Sequence, residues 1–396
     1  MSRTHRKNGS AIITVILSLA VSMSMFLTAF AESNDSKVSS GNTEVTEQSL
    51  FAGGSGSVED PYQVATADQL DHIREELDAS FVLIADIDLS GYENWQPIGE
   101  FQSKSDAPED AEIPKEEAAF RGSLDGNGHT ISNLTIDAPQ SMAVGLFGCA
   151  LGNGDGKGFI KNLTLENVNV NGAYLVGGAV GLQYMNFEVD DIILTGTNTL
   201  SGMQGVGGIV GTGFDWIRNC NATADITILG DGGACAGMIA GGTAYSSIEN
   251  CTANNGTITV EGEACWGFGG ICGAPYAAAE IKNCDANSVT IIVSGENGRL
   301  VGGIAGFAGT YGESEPASIE NCTADGINIT VSDTTTCVGG IVGGPKEESD
   351  GSSVMSSYAV KGCSVSGSIS GGAEKIGSVA GDETNAVELD CTSDLL

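Results

Sequence analysis

Positive charge is scarce in this chain. Sixteen Lys and Arg stand against 51 Asp and Glu in 396 residues, a net charge of −35. A nucleic-acid surface needs clustered cations to displace counterions from phosphate, and an anionic membrane face needs them too, so both partners are excluded. Aromatic residues are only 6% of the chain, which is poor for stacking sugars. Three histidines occur, His5, His72 and His129, and none lies in a His-Glu-x-x-His zinc motif. The 11 cysteines include no Cys-x-x-Cys pair, which argues against a zinc site. Long apolar runs are also missing, with the exception of Ala11 to Phe30.

That exception reads as a signal peptide. Arg3, Arg6 and Lys7 precede it, and Ala29-Phe30-Ala31 supplies a small-x-small cleavage site at the end of residues 1–31. Cleavage there leaves no membrane insertion and takes the net charge to about −38. An uncleaved anchor is the rival, because the apolar run is nearly long enough to span. Residues 32–50 are Ser, Asn, Thr and Glu, a flexible polar linker. The expected location is secreted or cell-surface.

The rest of the chain repeats. An Asn slot holds Asn133, Asn162, Asp191, Asn219, Asn250, Asn283, Asn321 and Gly362, in steps of 28–41 residues. After it come Leu134, Leu163 and Ile192, and then Cys220, Cys251, Cys284, Cys322 and Cys363. A Gly-rich segment alternates with this slot, starting at Gly145, Gly177, Gly207, Gly237, Gly269, Gly302, Gly339 and Gly377. One unit, such as Ile319 to Gly343, contains three short strand-like segments, rich in Ile, Val and Thr. They are too short for helices. Such a unit cannot bury its apolar side alone. Stacked on its copies about 4.8 Å apart, it forms parallel sheets around one narrow core. The fold class is therefore all-β, a single-stranded parallel β-helix of about eight to nine coils. Residues 131–396 supply the repeats, with Val387 to Cys391 an imperfect ninth, and residues 51–130 the N-terminal cap and first coils. Thr66 is placed to cap a short helix carrying Leu70, Ile73 and Leu77. Phe81 to Leu89 reads as one strand, and residues 101–119 as an acidic solvated loop.

The stretch Phe120 to Ile131, with Asp60-Pro61-Tyr62, Thr66 to Leu70 and Ala85 to Leu89, resembles the opening region of bacterial surface proteins that carry GLUG repeats. The Gly-Gly-Ile-Val-Gly segments at 207–211 and 339–343 match that repeat. The resemblance covers roughly residues 51–385 and implies a right-handed, pectin-lyase-like β-helix on a secreted or surface protein. Some proteins of this kind flank an IgA-cleaving metallopeptidase. That activity does not carry over, because the zinc motif is missing.

Chemistry-bearing residues are few, and each has a structural rival. The Cys slot marks small buried hydrophobes, expected mostly as thiols, although adjacent coils come within disulfide reach. The Asn row satisfies turn backbone by amide bonding from coil to coil. Asp125 and His129 in Asp-Gly-Asn-Gly-His, with Asp191, are the carboxylate and imidazole candidates for polysaccharide cleavage. Against this, Asp-Gly and Asn-Gly are strong turn dipeptides. Asn153 and Asp155 resemble part of a Ca²⁺ loop but lack its closing Glu. The 13 cations outside residues 1–31 look scattered, which suits no acidic polymer. Two functions remain: a non-catalytic exported module that binds a host or cell-surface glycan or protein, and a polysaccharide lyase or hydrolase on the same fold. An open last coil would also allow end-to-end self-association.

Overall fold

In a computed structural model, the described residues are 50–101, 116–152, 158–309, 315–345, 357–383 and 386–395. The signal peptide, nearly all of the linker and most of the acidic loop lie outside them. Short strands stack into a 29-stranded sheet and a seven-stranded sheet. Among the described residues every strand pairing is parallel, and the one antiparallel contact is the Gly53–Gln63 bridge. This is the β-helix that the repeats require.

The register of one strand position shows the stack. Tyr62, Phe81, Leu124, Ile160, Val189, Ile217, Ile248, Ile281, Ile319, Val360 and Leu389 succeed one another as backbone partners. That is eleven levels rather than eight or nine, a rod about 48 Å long. The extra levels come from residues 62–64, 80–83 and 123–125, which lack the repeat signature but stack on it.

Each coil bends more often than three segments suggest. The Asn slot explains one bend: Asn162, Asp191, Asn219, Asn250, Asn283, Asn321 and Gly362 all have φ between 52° and 63°. This left-handed backbone costs an ordinary residue about 1–2 kcal/mol, while Asn and Gly adopt it readily. Asn133 belongs elsewhere. Ile131 pairs with Leu165 and Ile136 with Val170, so Asn133 matches Asn167 at the next bend, and Asn127 (φ 52°) stands nearest the slot. The Gly-rich segment makes another bend, where the chain passes from the large sheet into the small one. There a Cβ on Gly211 would lie 2.5 Å from the Leu175 carbonyl carbon, so only Gly allows the strands to approach.

One core runs the length of the rod. Its first levels are filled by Phe81, Trp95, Phe120, Phe147 and Phe187, all essentially buried. Later levels are filled by smaller residues: Ile217, Ile248, Ile281 and Ile319 follow Phe81 in register, with Cys251, Ala253, Cys284, Ala286, Cys322 and Ala324 beside them. A second, smaller apolar cluster beside it includes Leu182, Tyr184, Phe214, Tyr276 and Phe307. The helix at Ala67–Asp71 is capped by Thr66, whose Oγ1 accepts from Gln69 N at 3.2 Å. It continues as a 3₁₀ turn at His72–Glu75 and sends Leu70 and Ile73 into the core. Phe81 to Leu89 is not one strand. It bends at 84–86 into Ser80–Leu83 and Ile87–Asp88, because it crosses a corner of the coil.

Candidate functional site

Outward side chains follow from the strand period. If residue i faces the core, i+1 faces out, and parallel stacking repeats each outward position about every 4.8 Å. The rod therefore presents columns, and two sets stand out.

The first lies beside the inward row just traced. Asp125, Lys161, Asp190, Arg218, Glu249, Lys282, Glu320, Lys361 and Asp390 are successive backbone partners. The sign alternates at every level. Ion pairs bind neighbouring levels: Lys161 Nζ lies 3.4 Å from Asp125 and Arg218 Nη2 3.5 Å from Asp190. Arg218 also reaches Glu188 at 3.1 Å and stacks over the exposed Trp216 ring at 4.5 Å. A hydrogen bond to Glu280 and the nearby Glu320 and Glu249 carboxylates push the Lys282 ammonium pKa up. The cations that the sequence presents as scattered are thus partly stacked.

The second set is almost uncharged. One row runs Thr135, Asn169, Thr199, Asp225, Thr257, Thr290, Asn328, Ser368. A parallel row, two residues on, runs Asp137, Asn171, Ser201, Thr227, Thr259, Ile292, Thr330, Ser370. Many of these side chains hydrogen-bond up the stack. Thr199 Oγ1 donates to Asn169 Oδ1 at 2.8 Å, Ser201 Oγ to Asn171 Oδ1 at 3.0 Å, and Ser368 Oγ to Asn328 Oδ1 at 3.2 Å. Behind both rows, Ile136, Val170, Leu200, Ile226, Ile258, Ile291 and Ile329 are buried. The result is a polar face on a stiff apolar backing.

The sequence-predicted site residues sit at turns. Asp125 Oδ1 accepts from Asn127 N at 2.8 Å and from Asn162 Nδ2 at 2.9 Å, closing the Asp-Gly-Asn-Gly turn. His129 Nδ1–H donates to Asp86 Oδ1 at 3.1 Å rather than to Asp125. The Thr130 backbone N–H, and then His129, hold the exposed Asp86 carboxyl below its usual range. Asp191 occupies the left-handed turn position. Its neighbour Asp190 is the one that accepts from Asn219 Nδ2, at 2.6 Å. Among the described residues, a depression of about 280 Å³ beside Arg299 and Lys375 and another beside Asn94 and Met142 lie away from Asp125, His129 and Asp191. Asn153 and Asp155 lie outside the described residues. Among the described residues, no three His, Cys, Asp or Glu side chains are disposed to hold a metal ion.

The Asn row forms an amide ladder over part of its length. Asn250 Nδ2 donates to Asn219 Oδ1 at 3.4 Å, and Asn283 Nδ2 to Asn250 Oδ1 at 3.3 Å. Beneath it the cysteines are buried and free. The Cys251 amide donates to Cys284 Sγ, and the Cys322 amide to Cys363 Sγ, each at 3.4 Å. Neither outward column set was visible in the sequence as a motif. Loops of unequal length separate the members, so only the register aligns them.

A parallel β-helix is the class these features define, and one of its coils matches the GLUG motif. The GLUG motif model matches residues 297–330, about one coil. Over 164 residues, 40% of this chain, the sequence is 38% identical to halomucin of Haloquadratum walsbyi. Over 148 residues, 35% of the chain, it is 34% identical to a candidate Gly-rich membrane protein of Evansella cellulosilytica. The matches span only 2% and 15% of those relatives' own lengths. Among solved structures, a candidate immunoglobulin A1 protease from Bacteroides ovatus superposes with a TM-score of 0.51 at 19% identity, covering 87% of this chain and 86% of that one. At that identity the likeness concerns the fold. Among the described residues, no helix is long and apolar enough to cross a membrane.

Proposed function

We propose that the chain is a non-catalytic exported β-helix module of a bacterial secreted or surface protein, and that it binds a glycan or protein of a host or cell surface along its uncharged face. The observation that carries this reading is the double row of Thr, Asn and Ser. Only Asp137 and Asp225 among its 16 members are charged, on a molecule of net charge −35. An acidic rod repels acidic polymers, so its near-neutral face suits a neutral polar partner. Hydrogen bonds up the rows hold the side chains in place before a ligand arrives, which lowers the entropy cost of binding. Export rests on residues 1–31 and on the surface and membrane character in the two relatives' names.

The test presents the full chain to panels of immobilised neutral and acidic glycans and of host surface proteins. Binding to a neutral partner is expected, together with its loss when Thr227→Glu and Thr259→Glu add charge to the face. Equal binding by the wild type and the variant would remove this face from the function. The same panels, with and without Ca²⁺, are assayed for new reducing ends or unsaturated sugars. Product there would overturn the non-catalytic reading and turn attention to Asp125, His129 and Asp191.

A further inference from the structure

The alternating charge column is unlike the rest of the surface. Its nine levels carry five acids and four cations, a net charge of −1, whereas the chain as a whole carries −35. Two copies of so acidic a rod repel each other almost everywhere. Along this stripe they need not. Placed side by side in the same register, two ladders would oppose like charges. Slid by one level, about 4.8 Å, every cation of one faces an acid of the other over eight levels. The pattern is complementary to itself, and no other charge sign on the partner is required.

The surroundings leave the stripe open. On one side stands the row of small turn residues from Asn162 to Gly362. On the other, two residues back along each strand, Glu188 and Glu280 pair with Arg218 and Lys282, and the exposed Trp216 ring lies beside Arg218. The members are half-buried by their own neighbours up to Glu320, and Lys361 and Asp390 are exposed. Ion pairs within the ladder, such as Lys161 with Asp125 and Arg218 with Asp190, hold the charged groups at their levels and keep the alternation sharp.

We infer that this column is a lateral docking surface for a second copy of the same chain, paired with a one-level offset. Salt acts on two terms. The net repulsion between two acidic rods is long-ranged and fades as the Debye length falls from about 30 Å at 0.01 M to about 8 Å at 0.15 M ionic strength, whereas facing charges in contact are screened only at higher salt. The surface is separate from the neutral face, so a paired rod keeps that face free on each copy.

The experiment measures molar mass in solution by sedimentation velocity for the full chain, at about 0.15 M and about 1 M salt. Dimer at the lower salt, where net repulsion is screened and contact pairs are not, and monomer at the higher are expected. A first variant, R218E/K282E/K361E, makes most of the stripe acidic. A second, D190K/E249K/E320K, makes it basic. Each is expected to be monomeric alone, and an equimolar mixture to form the heterodimer. Far-UV spectra check that both fold, and the conservative variant K282Q/K361Q stands in for either that does not, with an at least tenfold weaker dimer expected. A wild type that stays monomeric at about 0.15 M salt would overturn the inference. So would an R218E/K282E/K361E variant that still forms dimers by itself, or two folded variants that ignore each other. A ladder that served only to align coils would shift melting temperature in these variants and leave the mass unchanged.

Discussion

The charged stripe and the neutral face are built by the same device and look nothing alike. Behind both stands an unbroken inward column, Ile217, Ile248, Ile281, Ile319 in one and Ile226, Ile258, Ile291, Ile329 in the other. All eight are buried. Outward, one column alternates full charges and the other repeats Thr, Asn and Ser. The inward residues answer to the core, which takes Ile, Leu, Val, Ala and Cys in most coils and large aromatics in the first. The outward residues answer to whatever lies beside the rod. Stacking specifies the fold on one side of each strand and leaves the other side free for recognition.

That separation can be broken from inside. Ile319→Asp places a carboxylate at a fully buried level. It should cost more than about 4 kcal/mol and disorder both faces around that coil. Urea unfolding with hydrogen exchange is the check, and unchanged stability would show that the row does not face the core.

Alkali should act on the rod as a whole, since buried thiols and a phenol sit in its apolar interior. Burial pushes Cys149 and Cys391 up to about 12 and about 11, and Tyr184 up to about 12. These groups keep their protons to higher pH when folded than when unfolded. Stability is therefore fully present below about pH 9, the ordinary thiol value, and is lost as pH rises through the folded values. Each well-buried thiol contributes a slope of at most about 1.4 kcal/mol per pH unit in that window. Denaturant midpoints at about pH 8 and about pH 10.5 test the sign, and a midpoint that rises with pH would contradict it.

The smallest of these effects sharpens the comparison, because it belongs to the bend beside the charged stripe. Asn250→Ala forces a left-handed φ of 56° on Ala and removes both amide contacts, at a cost of about 1–2 kcal/mol. Asn250→Gly loses the amide but accepts the backbone, so it should cost well under about 1 kcal/mol. Equal losses would show that the amide ladder, rather than the turn, explains the row.

The β-helix was legible because its inward residues recur within each unit: Ile, Val, the Cys slot and the Gly-Gly bend all answer to a local constraint. The Asn row was legible as a row, but its main cause, the left-handed backbone, is conformational and leaves only a preference for Asn or Gly. Asn133 was placed one bend early, since both bends favour the same residue. The first three levels were read as a cap and opening coils, outside the repeat count. Large aromatics such as Phe81 and Phe120 replace the repeat signature there. The two outward columns were not legible. Lys161, Arg218, Lys282 and Lys361 lie far apart in sequence at irregular spacing, and only pairing through alternate levels lines them up.

The alternation carries a rule of parity. A solenoid grows in evolution by duplicating coils, and this core would accept one more copy of a unit such as 280–316 without complaint. The stripe would not. One added or deleted level sets two like charges side by side and shifts every sign beyond it, whereas two levels at once restore the pattern. Chains descended from this one should therefore differ in length by even numbers of coils wherever the stripe is kept.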